Sequence, residues 1–156
     1  MTVKLADIHC HILPGMDDGP AGMPEALDMA RVYTSLGYTH IIATPHLQSI
    51  FIEEKDIYQR TLNLQDAIFA SGIDLIVYPG AEIMLCPDLP SLLKEKSLPT
   101  LKSTRYVLID LPIFEPFPAY AQEVFFKLLT ESYIPILAHP ERNRCFWEEP
   151  ELLDNL

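Results

Sequence analysis

Side chains of types that bind metal ions recur in this chain where short apolar runs end. The six residues are His9, His11, His46, Glu82, Asp110 and His139. Apolar runs that alternate with longer segments of helical period predict parallel strands joined by helices. Because the carboxyl ends of parallel strands lie along one rim, side chains distant in sequence meet there. The pattern therefore predicts a metal site at that rim.

His9 and His11 form the clearest local pattern. Residues two apart on an extended backbone point to the same side, so both imidazoles face one way while Cys10 faces the other. Two imidazoles in this arrangement can bind one ion. An isolated pair is as readily explained by two histidines near a surface turn, and it is the other strand ends that favour a metal site.

Each remaining candidate also has a structural explanation. Glu82 follows two small residues that let a site approach the backbone, and its carboxylate can bridge two ions or be a solvated acid. Asp110 lies in an apolar run, where a cation or a salt bridge to an arginine would offset the cost of burying it. His46 and His139 lie beside prolines and can be structural. Asp17, before a glycine, favours a turn.

Imidazole and carboxylate ligands together favour manganese, iron or zinc. Two or more such ions can share a bridging hydroxide and clamp an in-line displacement at phosphorus. Arg142 and Arg144 follow His139 on the same loop, and a guanidinium binds phosphate as a bidentate fork. Surface pairing with Glu141 or Glu148 is the alternative. These residue types could therefore serve metal-assisted displacement at phosphorus.

Other catalytic machinery is missing from the sequence. A cysteine-based phosphatase needs an arginine six positions after its cysteine, but those positions hold Met16, Leu92 and Glu151. The sequence contains neither GxxxxGK[ST] nor GxGxxG. The three cysteines are odd in number and far apart, as expected for reduced thiols in the cytoplasm.

The net charge of −11 and the lack of a basic stripe argue against nucleic acid or an anionic membrane as the main partner. The sequence shows no export signal and no apolar run long enough to span a membrane. We therefore expect a cytoplasmic location.

The apolar periodicity predicts one α/β domain over residues 1–156 with about five βα units, too few for an eight-fold barrel of about 250 residues. Strands are predicted at 3–8, 40–43, 74–78, 106–111 and 134–138. Helices are predicted at 24–36, 54–71, 89–94 and 120–132, with the start of another at 148–153.

Four motifs, in order and spread over nearly the whole chain, resemble the polymerase and histidinol phosphatase (PHP) superfamily. They are DIHCHILPGMDDG at 7–19, ATPH at 43–46, GAEI at 80–83 and AHPER at 138–142. Within the superfamily, the sequence most resembles the bacterial manganese-dependent protein-tyrosine phosphatases of capsule and exopolysaccharide operons.

The resemblance implies a PHP-type distorted (β/α) barrel, seven-stranded in the family, with up to three metal ions. The implied ligands are His9, His11 and Glu82 at the first ion, Glu82, Asp110 and His139 at the second, and Asp18 and His46 at the third. Arg142 would bind the phosphate. The family usually has glutamate where this chain has Asp110, which gives that ligand a shorter reach.

The family also continues to further strands and a late Asp-x-His motif, which supplies ligands to the first and third ions and has no counterpart in this sequence. We therefore expect an incomplete barrel in which only the second site has its full ligand set. A strand left unpaired at the break is a template for association, so self-association is expected as well.

The implied activity is dephosphorylation of a bacterial tyrosine kinase in capsular or exopolysaccharide synthesis, through attack of a metal-bridged hydroxide on phosphorus. A histidinol-phosphatase-like activity on a small molecule is the alternative substrate class. A non-catalytic remnant that binds metal or a partner protein is the alternative from a different class.

Overall fold

A computed structural model describes residues 4–47, 54–95, 97–111 and 116–156 of this chain. The strands are β1 (Leu5–Cys10), β2 (Tyr38–Ala43), β3 (His46–Leu47), β4 (Ile76–Pro79), β5 (Glu82–Met84), β6 (Tyr106–Asp110) and β7 (Ile134–Leu137). The helices are α1 (Met23–Ser35), α2 (Glu54–Ala70), α3 (Leu89–Lys94), α4 (Ala121–Thr130), α5 (Arg144–Glu148) and α6 (Glu151–Asp154).

The strands form two parallel sheets, in the orders β1-β2-β4 and β3-β5-β6-β7. Every strand pairing in the described part of the chain is parallel. Parallel pairing places the carboxyl ends of neighbouring strands side by side, as the alternation of apolar runs and helical segments predicts. The prediction of an α/β fold is confirmed.

Two of the five predicted strands are each followed, after a break of two residues, by a second short strand that the sequence analysis did not anticipate. The second passes from β2 into β3 across Thr44 and Pro45, and the third from β4 into β5 across Gly80 and Ala81. The backbones approach closely at these breaks, because a Cβ on Gly80 would lie 2.7 Å from Cγ2 of Ile42. Only glycine fits where the chain leaves one sheet for the other.

The long helices follow their predicted periodicity. In α2 the buried residues are Ile57, Thr61, Leu64 and Ile68, the stripe that the sequence predicts. Both long helices end at glycines with positive φ, Gly37 at 91° and Gly72 at 67°, which allows the chain to turn back towards the next strand.

The predicted boundaries differ from the structure mainly near the two ends. Val3, at the start of the first predicted strand, lies outside the described residues, and β1 extends to Cys10, so His9 is in the strand rather than after it. The helix predicted at 148–153 is two short helices, because Pro150 keeps Glu149 out of the helical region (φ −136°, ψ 77°). No helix in the described ranges is long and apolar enough to cross a membrane.

Candidate metal centre

A buried carboxylate surrounded by three imidazoles lies where β1, β3 and β5 meet. Glu82 is 1% exposed, and its Oε2 lies 3.1 Å from Nε2 of His9, 3.2 Å from Nε2 of His11 and 3.0 Å from Nδ1 of His46. No described residue donates a well-formed hydrogen bond to either Glu82 oxygen. Such a burial is costly unless a cation compensates for it.

The sheet register brings these side chains together. His46 begins β3 and Glu82 begins β5, and the two residues are direct partners in the parallel ladder. The peptide N–H of Glu82 donates to the Pro45 carbonyl at 3.1 Å, which continues the pairing across the strand break. The breaks that the sequence analysis missed therefore place this histidine and this carboxylate at the rim.

The geometry of the His9, His11 and Glu82 side chains fits a divalent ion. The Nε2 atoms of His9 and His11 are 3.2 Å apart, and each is 3.1–3.2 Å from Oε2 of Glu82. Ligands at right angles around an ion with bonds of 2.0–2.2 Å are about 3 Å apart. Three atoms with lone pairs at these separations are the donor set that a metal ion needs.

Three overlapping groups of ligand atoms can be drawn at this rim, each with its atoms within 4.8 Å of one another. The groups are His9, His11 and Glu82; His11, Asp18 and His46; and His46, Glu82 and Asp110. Glu82, His11 and His46 each belong to two of them. The arrangement can accommodate adjacent ions that share a carboxylate.

The charges at the rim are strongly coupled. Burial alone would raise the pKa of Glu82, but contacts with His11 and His9 outweigh it and hold that pKa well below its usual range. The Glu82 contact, with a further contribution from Asp17, raises the pKa of His11 to about 9 against the effect of burial. Burial and the charge of Glu82 raise the pKa of Asp110.

His139 and Arg142 lie on the loop after β7. His139 has a left-handed backbone (φ 43°), its ring centroid is 4.7 Å from that of His9, and its Nδ1 is 3.2 Å from Oε1 of Glu141. It joins none of the three ligand groups formed by described residues. Arg142 is exposed, and no described residue forms an ion pair with it. The alternative of surface pairing is what Arg144 shows, since its Nε is 2.7 Å from Oε1 of Glu148.

Comparison with known proteins shows which family the chain belongs to. The profile of a family described as "Capsular polysaccharide synthesis, CpsB/CapC" matches residues 5–156. The chain belongs to the CpsB/CapC family. The resemblance that the sequence motifs indicate, to tyrosine phosphatases of capsule operons, is thereby confirmed.

Among the relatives of this CpsB/CapC chain is tyrosine-protein phosphatase YwqE of Bacillus subtilis (strain 168), 39% identical over 97% of this chain and 60% of YwqE. Tyrosine-protein phosphatase CpsB of Streptococcus pneumoniae is 30% identical over 88% of this chain and 57% of that protein. This chain thus spans about 60% of the length of the curated relatives it matches.

A solved structure also matches this CpsB/CapC chain, with a TM-score of 0.91 and 39% identity over 96% of this chain and 61% of the other. It comes from work on YwqE of Bacillus subtilis and CpsB of Streptococcus pneumoniae, which are described there as unique metal-dependent tyrosine phosphatases.

One acidic residue of this CpsB/CapC chain has contacts that the sequence analysis did not predict. Asp17 forms the expected turn, since its Oδ1 accepts a hydrogen bond from the Gly19 N–H at 3.0 Å. Its Oδ2, however, also lies 2.7 Å from Nδ1 of His11 and accepts from the His46 N–H at 2.9 Å. The sequence signal for these contacts was the pair of adjacent aspartates, Asp17 and Asp18, shortly after His9 and His11.

The cysteines of this CpsB/CapC chain are all free thiols, as the sequence predicts. Cys10 lies directly between His9 and His11 but is only 2% exposed, on the opposite side of β1. Burial raises the pKa of its thiol to about 12. A group that stays protonated at neutral pH is a poor nucleophile.

Proposed function

We propose that this chain forms the metal-binding part of a metal-dependent protein-tyrosine phosphatase whose substrate is a tyrosine kinase of capsular or exopolysaccharide synthesis. The observation that carries the proposal is the buried Glu82 carboxylate, which faces three imidazole nitrogens at 3.0–3.2 Å and has no other partner among the described residues. Membership of the CpsB/CapC family and the names of the relatives support the substrate class.

We further propose a PHP-type distorted barrel, of which residues 1–156 form a single, incomplete domain. The proposed cofactor is manganese, or iron or zinc, with two or three ions in a complete site. The proposed ligands are His9, His11, Asp18, His46, Glu82, Asp110 and His139. The three overlapping ligand groups support six of these residues, and the proximity of the His139 ring to His9 supports the seventh.

Divalent ions in such a site supply an activated water and stabilise negative charge at phosphorus. The Arg142 guanidinium is exposed on the loop beside His139, where it can bind two phosphate oxygens. Glu82 and its imidazole neighbours would hold such ions. No covalent enzyme intermediate is needed, and the buried thiol of Cys10 offers none.

We also propose that the chain acts in the cytoplasm and self-associates. β7 is the last strand of its sheet in the described part of the chain. Beside it lies an apolar groove of about 320 Å³, whose lining includes Leu129, Leu137, Leu153 and Leu156. An unpaired strand edge next to apolar surface favours association.

The test is hydrolysis by the 156-residue chain of a phosphotyrosyl peptide, a phosphoseryl peptide and histidinol phosphate, each with added manganese and with a chelator. We expect manganese-dependent release of phosphate from the phosphotyrosyl peptide. The Arg142→Ala variant should lose about 10- to 100-fold of this activity. Arg144→Ala, which removes an exposed arginine already paired with Glu148, is the matched control.

Two results would contradict the proposal. Preference for histidinol phosphate would indicate the small-molecule phosphatase instead. Manganese binding without hydrolysis of any of the three compounds would indicate a non-catalytic metal-binding remnant.

A further inference from the structure

Asp17 is a buried carboxylate that lies outside the proposed ligand set yet contacts three segments of the site. Its side chain is 5% exposed. Oδ2 lies 2.7 Å from Nδ1 of His11 and accepts from the His46 N–H at 2.9 Å, and Oδ1 accepts from the Gly19 N–H at 3.0 Å. A simple turn at this position would need only the Gly19 contact and no burial.

The contact with His11 determines which nitrogen of that ring carries a hydrogen. An ionised carboxylate can only accept, so the Nδ1 atom that faces Asp17 must be the donor. The lone pair of the neutral ring is then on Nε2. That atom is the one 3.2 Å from both Oε2 of Glu82 and Nε2 of His9. Asp17 therefore selects the tautomer of His11 that can bind an ion beside Glu82.

The other two contacts of Asp17 are with backbone N–H groups, those of His46 and Gly19, and not with an imidazole ring. The bond to the His46 N–H holds the start of β3, and with it the residue whose Nδ1 lies 3.0 Å from Glu82. The bond to Gly19 holds the loop that carries Asp18. This loop is close to His11, because a Cβ on Gly19 would lie 2.2 Å from the His11 carbonyl oxygen.

We infer that Asp17 is a positioning residue: it orients His11, and it holds in register the segments that carry Asp18 and His46. The inference rests on the metal site of the proposed function. All three members of the ligand group His11, Asp18 and His46 then depend on one carboxylate that binds no ion itself. Partners of this kind typically change metal affinity by about 10- to 100-fold when they are removed.

The experiment compares the wild-type chain with Asp17→Ala, Asp17→Asn and Tyr33→Phe. Tyr33 donates a 2.7 Å hydrogen bond to Oδ2 of Asp7, and Oδ1 of Asp7 accepts from the His9 N–H at 3.0 Å. Tyr33→Phe therefore removes a bond of the same length near the site but leaves every contact of Asp17 and the Asp7 bond to His9 in place. Manganese affinity is measured by titration calorimetry. The hydrogen bond from Nδ1–H of His11 is observed in the imidazole ¹⁵N spectrum of the zinc-loaded protein, since zinc is diamagnetic.

We expect Asp17→Ala to bind manganese about 10- to 100-fold more weakly and to lose the protected Nδ1–H signal. Asp17→Asn should lose less affinity, because its amide oxygen can still accept from His11, but the Nδ1–H signal should shift because the acceptor is neutral. Tyr33→Phe should leave both the affinity and the signal unchanged.

The inference is overturned if Asp17→Ala binds manganese as tightly as the wild type, or if Tyr33→Phe weakens binding as much as Asp17→Ala does. If Asp17→Ala does not fold, Asp17→Asn decides, since an unchanged Nδ1–H signal in that variant contradicts the role of Asp17 as acceptor. If the wild-type chain itself binds no manganese, both the proposed metal site and the role of Asp17 are overturned. If the wild-type chain binds manganese and the Asp17 variants behave as the wild type does, only the role of Asp17 is overturned.

Discussion

The two sides of the rim are built differently. On one side, Glu82 is buried, and its Oε2 lies within 3.2 Å of nitrogens from three imidazoles. On the other side, the loop after β7 exposes Glu141 and Arg142, while Phe146 behind it packs into the core. His139 faces Glu141 at 3.2 Å, and the indole N–H of Trp147 donates to the Glu141 carbonyl at 2.8 Å.

This difference separates two requirements of phosphoryl transfer. Metal ligands need fixed positions, and here the buried Glu82 carboxylate and the paired strands supply them, while the three imidazoles remain partly exposed to solvent. A phosphate-binding arginine must remain accessible to a substrate that arrives on another protein. Arg142 meets this requirement, since it is exposed and has no ion-pair partner among the described residues. The following predictions test whether the two sides are as independent as the contacts indicate.

The largest effect is expected on the buried side, from Glu82→Gln. The amide has nearly the same shape, but it brings a neutral group to a point where three imidazole nitrogens converge. We expect manganese affinity to fall by more than about 100-fold, the upper end for residues that only support a ligand. Calorimetry and elemental analysis measure this loss. Glu123→Gln, at an exposed acid paired with Lys127, is the control, and a Glu82→Gln protein with normal metal content would contradict the buried side as ligand set.

The exposed side should affect activity more than it affects metal binding. Any phosphatase activity of the chain should be abolished in His139→Ala and should fall about 10- to 100-fold in Arg142→Ala, the range for a lost charged hydrogen bond. Both variants should keep their fold, and Arg142→Ala its manganese affinity as well. Steady-state kinetics beside calorimetry separate the two quantities. Loss of manganese binding in Arg142→Ala would show that the two sides are coupled.

The same division explains what the sequence could predict. The residue types at strand ends and the helical stripe through Ile57 and Leu64 are local signals. The structure buries the stripe as predicted. It brings five of the six strand-end residues into the ligand groups and leaves His139 outside them. The short strands β3 and β5 could not be predicted from periodicity, because they contain only two and three residues. They form through pairing with each other, in which His46 lies directly opposite Glu82. The contacts of Asp17 join residues up to 29 positions apart, and no local pattern reports them.

Manganese should stabilise the buried side measurably. Binding to the folded state alone adds about 2.7 kcal/mol at a free concentration of 100 times Kd. For a chain of this length, that corresponds to a rise in Tm of about 5–10 °C. Differential scanning calorimetry with manganese and with a chelator gives the shift. Glu82→Gln should show none, and an unchanged Tm in the wild type would contradict the metal site.

Protons should compete with the ion at His11. Its pKa is raised from 6.5 to about 9 by the Glu82 contact, so the ring of the metal-free protein is charged between these values. Its contribution to stability is thus complete below pH 6.5 and is lost as the pH rises through about 9. Manganese must displace this proton, and its affinity should rise about tenfold per pH unit until the ring is neutral. Calorimetry in buffers of different ionisation enthalpy counts the released proton, and a pH-independent affinity would contradict the coupling.

The smallest effect is expected at Cys10, which belongs to neither side although it lies between two proposed ligands. Its thiol points into the core, and burial raises its pKa from 9.0 to about 12. Folding therefore favours the protonated thiol. The stability that this thiol contributes is complete below pH 9 and is lost as the pH rises from 9 to about 12. Cys10→Ser should leave activity within about twofold and lower the free energy of unfolding by about 1–3 kcal/mol, the cost of a buried hydroxyl.

Alkylation provides an independent check of the same residue. At neutral pH the half-buried thiols of Cys86 and Cys145 should react with iodoacetamide in the folded protein, whereas Cys10 should react only after unfolding. Mass spectrometry of tryptic peptides distinguishes the three sites. Rapid alkylation of Cys10 in the folded protein, or loss of activity in Cys10→Ser at normal metal content, would mean that the thiol faces the ligands. The division between a metal-binding rim and an apolar core would then be wrong at β1.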